Sequence, residues 1–147
     1  MVIYTDRTIN REELFEFLQG FKKTTGAYMA VASFNAIYGP EIIDTHFPGL
    51  FDCVICDSPV DCEDWSKLKM LQKIRKQFSK DMKALHNRST KLKWREMLMF
   101  DDNENVIKEL NEQRPELKCI TIHDKTGLTS SNRALIEVMD KASCDFI

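Results

Sequence analysis

Five short apolar runs recur along the chain: VIYT at 2–5, YMAVAS at 28–33, CVIC at 53–56, MLMF at 97–100 and KCITI at 118–122. Helix-length amphipathic segments separate them. Runs this short have the length of strands rather than helices, and their nearly continuous apolar character calls for cover on both faces. Strands that alternate with helices pair in parallel, because each crossover returns the chain to the same edge of the sheet. The expected fold is therefore α/β: a single Rossmann-like three-layer domain over residues 1–147, with a five-stranded, mostly parallel sheet and helices on both faces. Right-handed crossovers bring the C-terminal strand ends to one edge, where such folds bind their ligands. Thr5-Asp6, Ser33, Asp57 and Asp101-Asp102 all fall at such ends.

The helices are legible from their spacing. NREELFEFLQGF begins behind Asn10, with Glu13 three residues on in the arrangement of a capping box, and Leu14, Phe15, Leu18 and Phe21 form its apolar stripe. Pro40 opens a short helix through EIID, which Pro48-Gly49 closes. A long helix is expected from about Asp64 to Leu85, its stripe made of Leu68, Leu71, Ile74, Phe78, Met82 and Leu85. NVIKELNEQ and SSNRALIEVMDKA supply two more. No run approaches the roughly 20 apolar residues of a membrane helix, and the N-terminus lacks the pattern of a secretory signal. A soluble, cytoplasmic protein that does not bind membranes is expected.

Five cysteines leave at least one unpaired, which suits a reducing compartment. CVIC has the spacing of a metal pair, but in a strand residues three apart face opposite sides, so a strand is the better reading. The terminal CDFI is a poor match to a prenylation box. Net charge is −2 but unevenly spread: residues 67–95 hold eleven Lys and Arg against Asp81 alone, +10, leaving −12 for the rest.

The tandem acids Asp101 and Asp102 need a partner, since adjacent carboxylates raise each other's pKa. Two readings stay open. Magnesium takes oxygen ligands and is often held by one or two carboxylates together with phosphate oxygens. Equally, the two acids could cap the helix that follows, where negative charge is favourable. Ser33 could donate to a phosphate oxygen or serve only as a turn residue.

The order of these pieces, VASFN after a strand, Lys67 in DWSKLKML, then MLMFDDNENVIKEL and KCITIHDKTGLT, resembles the second, third and fourth motifs of the haloacid dehalogenase superfamily. Within that superfamily the spacing is most similar to the small, capless magnesium-dependent phosphatases, and the resemblance covers residues 10–142. It implies a phosphate held by Ser33 and Lys67, with Lys69 as the competing lysine, and magnesium held by Asp6, Asp101 and Asp102. The superfamily's first motif, D-x-D-x-T, is not intact. Asp6 in VIYTDRTIN stands where the nucleophile belongs and Thr8 where the acid/base aspartate belongs. In the other alignment Asp6 to Thr8 match the second half of the motif and Tyr4 replaces the nucleophile. Topology favours the first, because a sheet without a strand from the chain's start would lack its middle.

About four residues separate Asp6 from the first helix, too few for the β-hairpin flap such enzymes close over substrate. A missing acid and a missing lid each remove on the order of two to four powers of ten in rate. The expected function is that of a catalytically impaired, phosphatase-like protein acting as a binding or regulatory subunit. The alternative is an active magnesium-dependent aspartyl phosphatase that hydrolyses a phosphomonoester through Asp6. The basic stretch 67–95, with Lys80, Lys83, Arg88, Lys91, Lys93 and Arg95 as its expected contacts, has the electrostatic footprint of RNA or ribonucleoprotein binding, set against the plainer reading of a solvated helix face. A protein partner is the other partner expected.

Overall fold

The computed structural model describes residues 11–57, 66–101 and 103–121. These form a mixed α/β structure with four helices and two small parallel sheets. They divide into two compact units: one spans Phe15–Met97, and the other comprises Leu98 onward together with the chain up to Leu14. Strand VIYT, the Asn10 cap, Ile122 and the helix expected at 130–142 lie outside the described residues, as do Asp6, Thr8 and Asp102.

The larger unit takes α1 (Arg11–Thr25) from Phe15 on, then β1 (Ala30–Ser33), α2 (Gly39–His46), β2 (Cys53–Cys56) and α3 (Lys67–His86), followed by a 3₁₀ turn at Trp94–Glu96. Strands β1 and β2 pair in parallel, with Ala30 opposite Cys53 and Ser33 opposite Cys56. Helix α1 ends where Gly26 takes φ +71° and its N–H donates to the Lys22 carbonyl, 2.8 Å. Glycine reaches that left-handed geometry without steric cost, which makes it a frequent helix terminator. The expected stripe of α1 omitted Phe17, which is its buried residue.

Strand β1 begins two residues later than the apolar run. The Met29 N–H donates to the Asp52 carboxylate, 2.9 Å, and Lys22 pairs with the same carboxylate at 2.5 Å. The Asp52 side chain thus takes the Met29 N–H, while the Met29 carbonyl accepts from the Asp52 backbone N–H, 2.8 Å. Val54 on β2 is exposed, so the cover expected on both strand faces is incomplete there among the described residues.

Helix α3 is capped by Ser66, whose hydroxyl accepts from the Lys69 N–H, 3.4 Å, and it ends on Asn87 at φ 50°. Its core residues are Met70, Leu71 and Ile74, with Met70 0% exposed, whereas Leu85 of the expected stripe is 73% exposed. Helix α3 packs on β1 and β2, Leu71 and Ile74 of the expected stripe are in its core, and its last turn, residues 83–86, is exposed. The core of this unit is completed by Leu50, Cys53 and Trp94.

The second unit holds β3 (Leu98–Asp101), α4 (Glu104–Gln113) and β4 (Lys118–Thr121). Strands β3 and β4 are parallel, Leu98 opposite Lys118 and Asp101 opposite Thr121. Between them α4 buries Ile107 and Leu110, three residues apart on one face. This β–α–β crossover is the unit that a parallel pair requires. No helix of the described residues is long and apolar enough to cross a membrane.

Candidate functional site

At the C-terminal end of β1 the chain turns sharply. The Asn35 N–H donates to the Ser33 hydroxyl oxygen, 3.1 Å, and the Tyr38 N–H to the Asn35 side-chain oxygen, 3.0 Å. The Ser33 carbonyl accepts from the Asp57 N–H, 3.1 Å, tying the ends of β1 and β2 together. Accepting from Asn35 uses one lone pair of Ser33 and leaves its O–H a donor by chemistry.

Lys67 is the first residue of α3, and the helix start delivers its side chain to this strand end. Its ammonium donates to the Ala32 carbonyl, 2.5 Å, and lies 4.8 Å from the centroid of the Phe34 ring. Lys69, two residues on, is exposed. Of the two lysines weighed from the sequence, the structure brings Lys67 to the end of β1. One turn and a half further along α3, Lys73 pairs with Asp57 at 2.6 Å, at the end of β2. Two ammonium groups, a hydroxyl and one carboxylate therefore share this edge. That set can hold an anion as dispersed positive charge with a hydroxyl donor.

The thiols here are not poised as nucleophiles. Burial, followed by the charge of Asp57, pushes the Cys56 thiol up. Burial and Asp81 do the same to Cys53, and burial and Asp101 to Cys119. A raised thiol is protonated at neutral pH, whereas the nucleophilic form of cysteine is the thiolate.

In the other unit Asp101 ends β3. Its Oδ1 accepts from the Asn103 N–H, 2.8 Å, and Asn103 in turn caps α4, its Oδ1 accepting from the N–H groups of Asn105 and Val106 at 3.0 and 3.3 Å. The cap expected of the tandem acids thus belongs to Asn103, the last of three cap-type residues before the helix, and Asp101 closes the preceding turn. A carboxylate at a strand end is the oxygen chemistry a hard cation takes. Among the described residues no group of three or more His, Cys, Asp and Glu could hold a metal ion, and Asp6 and Asp102 of the expected magnesium set are outside them.

The basic stretch has a definite architecture. Beyond α3 the chain turns at Asn87 and runs back along the helix. The Arg88 N–H donates to the Met82 carbonyl at 3.2 Å, Ser79 Oγ donates to the Thr90 carbonyl at 3.1 Å, and Arg75 donates to the Leu92 carbonyl through Nε and Nη2 at 2.9 and 2.6 Å. The Arg75 guanidinium also stacks 4.3 Å from the Trp94 ring centroid, and Trp94 is only 9% exposed. Lys80, Lys83, Arg88, Lys91, Lys93 and Arg95 are all exposed. Arg75 and Ser79, which hold the return segment, were not singled out by the sequence. Their partners lie 11 to 17 residues away, so no local pattern marks them.

No family model matches this chain, and no curated protein sequence or solved structure is significantly similar to it.

Proposed function

We propose that the chain is a degenerate, capless phosphatase-like protein of the haloacid dehalogenase type, with a five-stranded and mostly parallel sheet, kept for binding rather than turnover. It would act as a binding or regulatory subunit on RNA or a ribonucleoprotein. The observation that carries the reading is the placement of Lys67: the first residue of a helix reaches back to the end of a parallel strand, one residue from Ser33. That juxtaposition is what a phosphate-holding lysine and hydroxyl need, since both must address one anion from different elements. Two parallel pairs, each with polar or charged groups at its C-terminal ends, also support it.

Binding without turnover follows from the first motif. Thr8 has no acidic proton to give a leaving group, and about four residues before the first helix leave no room for a lid. Ser33 and Lys67 would orient and neutralise a phosphate. Asp101, with Asp6 and Asp102, would supply carboxylates for magnesium, whose chemistry is to polarise a phosphoryl oxygen.

The test is hydrolysis of an aryl phosphate in the presence of magnesium. The expected result is no release of the phenolate above a protein-free blank. Turnover that is abolished equally by Asp6→Asn and Asp101→Asn would replace this reading with that of an active aspartyl phosphatase.

A further inference from the structure

The return segment after α3 gives the basic stretch a shape that its composition does not show. Contacts at Met82, Ser79 and Arg75 hold residues 88, 90 and 92 in order along the helix, so the segment runs antiparallel to α3 over about two turns. Lys76, Lys80 and Lys83 recur at intervals of four and three and so form one stripe. This stripe lies next to the row containing Arg75 and Ser79, on which the segment rests. On the segment itself stand Arg88, Lys91 and Lys93. All six cations are exposed. They form two adjacent rows, the helical one about 10 Å long at 1.5 Å per residue.

Two nearby acids keep their charge, and the six cations outnumber them. Asp81 accepts from the Tyr28 hydroxyl at 2.6 Å and from Gln77 at 2.8 Å, and Glu96 accepts from the Lys93 N–H at 3.2 Å. Among the described residues no base-stacking aromatic of the stretch is open beside the rows, because the Trp94 ring is buried beneath Arg75. A face of exposed cations with no stacking platform contacts phosphates and leaves bases unread. That is the chemistry of duplex recognition, whereas single strands are held largely by stacking.

We propose that this two-row face binds the phosphate backbone of double-stranded RNA without regard to sequence. The proposal rests on the RNA reading above and narrows it to one structure of RNA and one surface. Its test is a fluorescence-anisotropy titration of the whole protein with an RNA duplex of about 16 base pairs, the span of one double-stranded-RNA module, and with one of its strands alone. Salt is varied from about 50 to 200 mM. The expected result is tighter binding of the duplex and a steep linear fall of log K with log salt. K80Q/R88Q lowers that slope by about 2, one for each lost phosphate contact, while K23Q, on exposed α1 outside the face, leaves it unchanged. Equal or tighter binding of the single strand overturns the proposal. So does an unchanged slope in K80Q/R88Q with the duplex still bound, although RNA binding by this protein would then stand. No binding of either RNA at the lowest salt overturns both this proposal and the RNA part of the proposed function. Thermal unfolding of each variant establishes that the exposed substitutions leave the fold intact.

Discussion

Gly39→Ala tests the packing that holds α2 against the end of β2. A Cβ built on Gly39 would meet Cys56 Sγ at 2.8 Å, while Cys56 Cβ and Asn35 Cβ stand at 3.5 and 3.7 Å, ordinary contact distances. The sulfur alone is in the way. Overpacking of this kind costs about 1–3 kcal/mol, relieved in part if the thiol leaves its rotamer at about 0.5–1.5 kcal/mol. Against this, Gly39 is not among the glycines at positive φ, so alanine suits its backbone and would gain roughly 0.5–1 kcal/mol in a helix. The expected net loss is about 0.5–2 kcal/mol. In a Cys56→Ala background the obstruction is gone, only the helical gain remains, and the sign reverses. Urea denaturation of the four proteins of this cycle, at matched m values, gives the coupling directly, expected at roughly 1–3 kcal/mol. A cost of Gly39→Ala that is the same with and without the sulfur would show that Cys56 does not obstruct the added methyl group.

Three further outcomes follow from the same packing. Arg75→Ala removes two hydrogen bonds to the Leu92 carbonyl and the stacking on Trp94, and should cost about 1–3 kcal/mol while opening residues 87–93 to limited proteolysis; unchanged cleavage would show that the segment is held otherwise. Met70→Ala, at a fully buried site, should cost about 2–5 kcal/mol, whereas Leu85→Ala, at an exposed one, should fall within about 0.5 kcal/mol of wild type. The Tyr28 and Gln77 hydrogen bonds hold the Asp81 carboxyl below its usual range. That group stabilises the fold above the unfolded aspartate pKa of about 3.9, and the contribution is lost as pH falls through the lower folded value. The stability difference between wild type and Tyr28→Phe should therefore be largest near neutral pH and shrink in acid; a difference that grows in acid would contradict it.

How much of this was legible in the sequence differs from element to element. CVIC is β2 residue for residue, because an apolar run bounded by aspartates leaves no choice of register. MLMF and KCITI became β3 and β4 within a residue over their described span. The start of β1 was misjudged because Asp52 takes the Met29 N–H, a contact between residues 23 apart. The stripes of α1 and α3 placed Phe15 and Leu85 above Phe17 and Met70, since periodicity gives the pitch of a helix but not the extent of the surface it covers. At the edge of β1, sequence reading narrowed the lysine to two neighbours, and the direction of the first turn of α3 separates them. Asn103 as cap was readable from its place just before the helix, but two aspartates in front of it carried the same signal.

The proposed function depends on Ser33 and Lys67 forming an anion-holding edge at the end of β1. A titration of the isotope-labelled protein with inorganic phosphate, followed through backbone amide resonances, addresses it directly. Saturable shifts are expected at Ser33, Phe34 and Asn35 that vanish in Lys67→Met and persist in Lys69→Met. Shifts that survive loss of Lys67, or no shift at these amides in the unaltered protein, would contradict it.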